Sequence, residues 1–222
     1  MTFRKFLSLQ NLIYKDIEEK SKTVLYKGLK IDKNILQNKS GYLIAFLHNS
    51  EISKEIAKLS KDISEVVPAI NIKTEDVHTT ISTNIDKSKS IPDEDFMQII
   101  IQTVESSVLN LQERVEIKFT KLLMNKNSII LAGNPNKSFF NISKNIVGEI
   151  NDRGFGFRMP KMSHITVSRF KKGTNKENIE KLIDIIKKRK VSERSVLKKI
   201  GIGFYSFHQG SYKFVKRAII NI

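Results

Sequence analysis

The chain has 222 residues, 40% of them hydrophobic, and carries 39 Lys and Arg against 23 Asp and Glu, a formal charge of +16. That length suits one domain or two small lobes with a real core, and the charge suits a polyanionic partner, although a Lys-, Ile- and Asn-rich coding bias leaves the same mark. The absence of cysteine excludes disulfides, a thiol nucleophile and cysteine-ligated zinc; no apolar run approaches the ~20 residues of a membrane span and no signal-peptide pattern opens the chain, so a cytoplasmic protein is expected.

Phe3, Phe6, Leu7, Ile13 and Ile17 recur at helical spacing, predicting an amphipathic helix over 3–20. Its polar face mixes both charge signs, which argues against membrane docking. A short strand is expected over 23–29 and a polar stretch through 40. Residues 1–40 therefore read as an N-terminal extension, and 41–222 as the main domain. From Gly41 the pattern becomes regular. A buried strand is expected over 42–47, then a helix from 50 to about 64 with a Ser cap and early acidic residues. Pro68 interrupts, and a strand follows over 76–82. Ile91-Pro92-Asp93-Glu94 starts a helix reaching about 110. Hairpin strands are expected over 115–123 and 128–131, joined through Asn125-Lys126-Asn127, and a third helix over 138–150. The Gly-rich stretch 153–160 precedes a strand instead of opening a helix after one, so it is not a dinucleotide-binding loop. A basic helix over 177–190 and strands over 199–207 and 212–220 complete the chain. This order, strand-helix-strand-helix-hairpin then helix-strand-helix-hairpin, predicts an α+β fold. It would be internally duplicated and two-lobed, with antiparallel sheets flanking a central groove and helices outside.

Each expected half contains one copy of a short pattern: His78-Thr79-Thr80-Ile81-Ser82 and His164-Ile165-Thr166-Val167-Ser168. Residues two apart in a strand share a face, so each copy presents an imidazole and a hydroxyl on one side and β-branched residues on the other. His48-Asn49-Ser50 also fits His-any-Ser/Thr but ends an apolar run and reads as a helix cap. Two imidazoles can deprotonate an attacking hydroxyl and protonate a leaving oxygen near neutral pH, while hydroxyls hold the equatorial oxygens of a phosphate. Neither a His-Glu-x-x-His run nor a carboxylate cluster suggests a metal.

With these motifs, the strand 42–47 and the ending Phe204-Tyr205-Ser206-Phe207 then Tyr212-Lys213-Phe214, the chain over 41–222 resembles the 2H phosphoesterase superfamily. The likeness is particularly to bacterial members named for 2′-5′ RNA ligase and RNA 2′,3′-cyclic phosphodiesterase activity. An Arg after the second motif, here Arg169, is common in that family. Thr83-Asn84-Ile85 departs from the Phe-Leu-Gly that follows the first motif in many relatives. The resemblance implies His78 and His164 as the acid-base pair and Thr80 and Thr166 as phosphate anchors, with no metal or cofactor. Arg169 is either a phosphate ligand through its planar fork or a solvated strand end. Tyr42, Tyr205 and Phe207 are candidates for stacking a base, with a place in the core as the alternative; His208 is read as facing water.

The expected function is metal-independent cleavage of RNA 2′,3′-cyclic phosphates, 2′-5′ linkages or related nucleotides. One alternative is a hydrolase of signalling oligonucleotides, such as 2′-5′ oligoadenylate or a cyclic dinucleotide, that antagonises host defence for a phage or virus. Another is a catalytically inactive RNA-binding module, and a third is a scaffold anchored to lipid by the first helix. Expected partners are RNA, an oligonucleotide or a cyclic nucleotide, with no membrane and a monomeric chain.

Overall fold

The computed structural model describes residues 1–84, 93–109, 113–189, 193–208 and 210–222, with the backbone alone at 208. Its strands are β1 Ser40–Leu47, β2 His78–Asn84, β3 Glu116–Met124, β4 Ser128–Pro135, β5 His164–Arg169, β6 Glu193–Val196, β7 Lys199–His208 and β8 Ser211–Asn221. All eight join one sheet in the order β6-β3-β4-β5-β2-β1-β7-β8, and every pairing is antiparallel. The sheet narrows at its centre, where β2 and β5 share the single register pair Thr79↔Ile165. On either side lies a four-stranded half, so the two motif strands meet where the halves join. The sheet also curls: His48, just past β1, reaches Ser195 on edge strand β6 and Thr79 on central strand β2.

The main core lies on one face. There Ile81, Ile165 and Val167 of the motif strands, none of them exposed, pack with Ile44, Phe119, Ile129 and Ile202. Four helices cover this face: α4 Ser50–Val66, α5 Glu94–Leu109, α6 Lys137–Asp152 and α7 Lys176–Lys188. Each turns an apolar stripe inward, for example Ile52, Ile56, Leu59 and Ile63 of α4. Burying one such side chain is worth roughly 1.5–3 kcal/mol. Asn49, Asn136 and Asn175 cap α4, α6 and α7 by accepting a backbone N–H in the first turn. The α4 cap is thus Asn49 and not Ser50, which is already helical. Ile91, Pro92, Asn110 and Lys190, expected at helix ends, lie outside the described residues.

The extension holds three helices: α1 Phe3–Ser21, α2 Val24–Lys27 and α3 Lys33–Leu36. The expected strand over 23–29 is therefore a single helical turn, ended by Gly28 at φ 72°. The β-branched and aromatic run there has no sheet edge to join. Helix α1 lies on the second half of the sheet, on the face opposite the main core, where Tyr14 and Ile17 pack with Leu123, Ile130 and Ala132. Phe6, at the other end of the helix, packs on Phe140 of α6. Among the described residues no helix is long and apolar enough to cross a membrane.

The duplication is visible as β1-α4-β2-α5 and β4-α6-β5-α7. The hairpins, however, do not follow chain order. β3 and β4 belong with β5 and β6 in the second half, and the last hairpin, β7 and β8, returns to flank β1 in the first. Strand β6, which the sequence reading did not contain, pairs with β3.

Candidate active site

On the face opposite the main core, a cavity of about 190 Å³ opens beside the β2–β5 junction. His78, Thr80, His164 and Thr166 all line it, together with Arg169, Tyr205, Phe207 and Tyr212. The two-residue period brings each imidazole and its hydroxyl to this face while Thr79, Ile81, Ile165 and Val167 are buried on the other. With Thr79 opposite Ile165, antiparallel register sets His78 across from Thr166 and Thr80 across from His164. Each ring thus faces the other strand's hydroxyl. Among the described residues neither threonine hydroxyl hydrogen-bonds within the protein, so both are available to a ligand.

The rings are oriented differently. His78 Nδ1 meets the Asp76 carbonyl at 2.6 Å, which requires Nδ1 to donate and leaves Nε2 without its proton in the neutral ring. Tyr212 stacks on His78 with centroids 6.1 Å apart and planes 21° apart. His164 Nδ1 is buried without a hydrogen-bond partner. The Met162 carbonyl, two residues before it as Asp76 is before His78, pulls on the ring without closing to a bond. Instead, the backbone next to His164 is clamped by α1. Ser163 N–H donates to Gln10 Oε1 at 2.7 Å, and the Tyr14 hydroxyl donates to the Ser163 carbonyl. Gly133 N–H in turn donates to the Tyr14 oxygen at 3.2 Å. Burial raises the Tyr14 pKa, keeping its phenol protonated for this role.

Burial lowers the pKa of both cavity histidines to about 4. For His164 the nearby Arg169 charge adds to the lowering; for His78 the Asp76 carbonyl opposes it, and Lys216 and Arg169 reinforce it. Each ring keeps a partly open edge, so an arriving phosphate anion can meet it and restore its proton affinity. Both rings are neutral at pH 7 in the free site. A neutral ring can accept a proton, and a bound anion would favour its protonated form.

Arg169 is not a solvated strand end. Its side chain is 22% exposed, donates from Nη1 to Asp32 at 2.9 Å, and lies over the Phe207 ring at 5.5 Å. One edge of the guanidinium is thereby held, and other N–H donors of its five remain. Phe207, Tyr205 and Tyr212 form an aromatic wall with centroids 5.1–6.4 Å apart. Tyr42 does not take part. Its ring is 1% exposed, packs edge-on with Phe96 and Phe204, and its hydroxyl accepts from Asp93 N–H. β1 is buried on both faces, and the cavity-facing neighbour is Leu43. The side chain of His208 lies outside the described residues. His48 sits on the core side, bonded to Ser195 and Thr79, its pKa lowered to about 3 by burial.

Sequence reasoning did not single out Asp32, Asn34, Gln10, Tyr14 or Tyr212. Asp32 and Asn34 reach the site from the α3 cap of the extension. No local signal marks a partner more than 130 positions away. Tyr212 belonged to the ending that carries the family resemblance, and that was the only hint. Among the described residues no group of three His, Cys, Asp or Glu could hold a metal.

An antiparallel α+β sheet with paired motif strands at its centre and helices behind it is the fold of the 2H phosphoesterases, and this chain has that fold. The similar solved structures include TT0787 of Thermus thermophilus, with TM-score 0.59, 10% identity, and 82% of this chain and 97% of that one covered. A structure described as a phosphoesterase gives TM-score 0.57 at 9% identity, covering 83% and 98%. Escherichia coli LigT without ligand gives TM-score 0.53 at 10% identity with the same coverage; LigT has also been crystallised with 3′-AMP and with phosphate. No family model and no curated protein matches the sequence itself.

Proposed function

We propose that the protein is a metal-independent phosphodiesterase that opens RNA 2′,3′-cyclic phosphates or cuts 2′-5′ or related nucleotide linkages. One observation carries this reading. Two imidazoles and two unpartnered threonine hydroxyls from separate strands line one small cavity beside an arginine already held in place. In hydrolysis of a cyclic phosphate, one ring takes a proton from the attacking water as the new P–O bond forms. The other gives its proton to the ribose oxygen whose bond to phosphorus breaks. Thr80 and Thr166 donate to the non-bridging oxygens, where charge accumulates, and Arg169 adds a fixed positive charge. The fold likeness to LigT, crystallised with 3′-AMP and phosphate, supports a nucleotide ligand.

The test is a panel of cyclic-ended RNA, 2′-5′ and 3′-5′ oligonucleotides, and cyclic dinucleotides, each incubated with wild type, His78→Ala and His164→Ala. Wild type turns over at least one member, and each variant loses about 10²-fold or more, since general acid-base help is typically worth ~10²–10⁴. Turnover of cyclic dinucleotides or 2′-5′ oligoadenylate alone assigns a signalling substrate. Absence of any turnover, with binding retained by the double histidine variant, replaces the reading with an RNA-binding module. Activity abolished by EDTA and restored by a metal ion overturns the metal-free chemistry.

A further inference from the structure

A second depression, of about 470 Å³, lies next to the histidine cavity and shares Asp76 and Tyr212 with it as a common wall. Its floor is built from three parts of the chain held together by backbone pairing. Ala69 bridges Phe170, Lys171 N–H donates to the Pro68 carbonyl, and Phe214 N–H donates to Asp76 Oδ1. The trough is thus a fixed feature of the fold. Lys73, Lys171 and Lys213 line it, all exposed, and none forms an ion pair among the described residues. Two acidic residues also line it. The Asp76 carboxylate accepts from Phe214 N–H, Lys216 binds the Glu75 carbonyl and acts on both carboxylates, and Lys73 also acts on Asp76. With Lys216 and Lys73 set against the two carboxylates, the trough keeps a surplus of positive charge, carried chiefly by Lys171 and Lys213, for an external anion.

Size separates the roles of the two spaces. Ligand pockets usually span ~300–1,000 Å³, and the histidine cavity falls below that range. It has room for the scissile phosphodiester and one flanking group, not for a longer chain.

We propose that this lysine-lined trough binds the phosphate backbone of an oligoribonucleotide running on from the scissile bond, so that the preferred substrate is several nucleotides long and not a single cyclic nucleotide. The assignment rests on the phosphodiesterase reading, because the shared wall is what makes a nucleic acid the anion of choice. Backbone phosphates at neighbouring nucleotides match several mobile ammonium groups, which act as point charges without demanding a base sequence.

The test compares wild type with Lys73→Ala/Lys171→Ala/Lys213→Ala. One arm measures anisotropy of a labelled, uncleavable 2′-O-methyl hexaribonucleotide across a salt series. Wild type binds at least tenfold more tightly than the triple variant, and the slope of log affinity against log salt falls by about 2, since each single-strand phosphate contact contributes ~0.7. The other arm measures kcat/KM for a 2′,3′-cyclic mononucleotide and for a cyclic-ended hexamer. Wild type favours the hexamer, and the variant loses that preference while mononucleotide turnover is unchanged. Equal affinity of the two proteins for the hexamer overturns the trough assignment, as does equally tight wild-type binding of polyglutamate. No turnover by wild type of either substrate defeats the phosphodiesterase reading alone, because the binding arm still decides what the lysines hold.

Discussion

In the first half of the sheet, His78 is oriented from within its own neighbourhood, by the carbonyl of Asp76 two residues earlier and by the Tyr212 ring. In the second half, His164 has no bond on Nδ1, and its place is set by α1, which grips Ser163 through Gln10 and Tyr14. The groove faces are covered differently as well. Leu43, Ala45 and Phe214 close the first with strand residues, whereas α1 closes the second. Asp32, also from the extension, holds Arg169. The same four side chains thus stand on two kinds of support, one local and one supplied by the first 40 residues. A duplicated fold can keep its motif geometry while its two copies acquire separate scaffolding, because each backbone polar group needs a partner but not a particular one.

The strongest way to break this comparison is Tyr14→Phe. It removes the Tyr14 donor from the Ser163 carbonyl, which keeps only Gly133 N–H at 2.9 Å, and so loosens the tie between α1 and the backbone before His164, at an expected cost of about 0.5–1.5 kcal/mol in unfolding free energy. Turnover should fall by up to about tenfold with KM little changed, because His164 and not substrate contact is disturbed. Denaturant midpoints and steady-state kinetics check it; an unchanged kcat would make α1 a passive cover.

Acidification probes both halves together. The folded pKa values of His78 and His164, about 4, and of His48, about 3, all lie below the ordinary 6.5. Between these values the unfolded chain binds more protons than the folded one. Stability is therefore fully present above pH 6.5 and declines as pH falls from 6.5 toward 4. Urea midpoints at pH 7.5, 6 and 5 should decrease in that order. His78→Gln and His164→Gln should each flatten the trend; a flattening by only one would show that the halves are not equally desolvated.

The smallest effect on activity sharpens the asymmetry further. Removing the charge with Arg169→Met takes away a cation that lowers both histidines, more prominently His164. The pH-activity profile should move to higher pH, chiefly on the limb lost in the His164 variant. Loss of the pair also leaves the buried Asp32 carboxylate, 9% exposed, without its counter-charge, and should cost up to about 3 kcal/mol in stability. A profile that does not move would place the Arg169 charge too far away to act on the rings.

The helices α1, α4, α6 and α7 and both motif strands were legible because their signals are local. Periods of 3.6 and 2 put apolar residues on one side, and Pro68 and Asn49 punctuate them. The segment 23–29 misled because Thr, Val, Leu and Tyr favour strands only where a sheet edge is available. Tyr42 misled for a related reason. In a strand buried on both faces, alternation no longer says which side is the groove.

By itself, then, the sequence determined the α+β class, the two His-x-Thr strands and the side chains each turns to one face, since these depend on residues a few positions apart. Only the tertiary structure decided that the two hairpins exchange halves, that β2 and β5 meet at Thr79 and Ile165, and that the extension supports His164 and Arg169. Those outcomes join elements that are not neighbours in the chain. They follow from which surfaces bury best against one another, and no pattern within a single element records that choice.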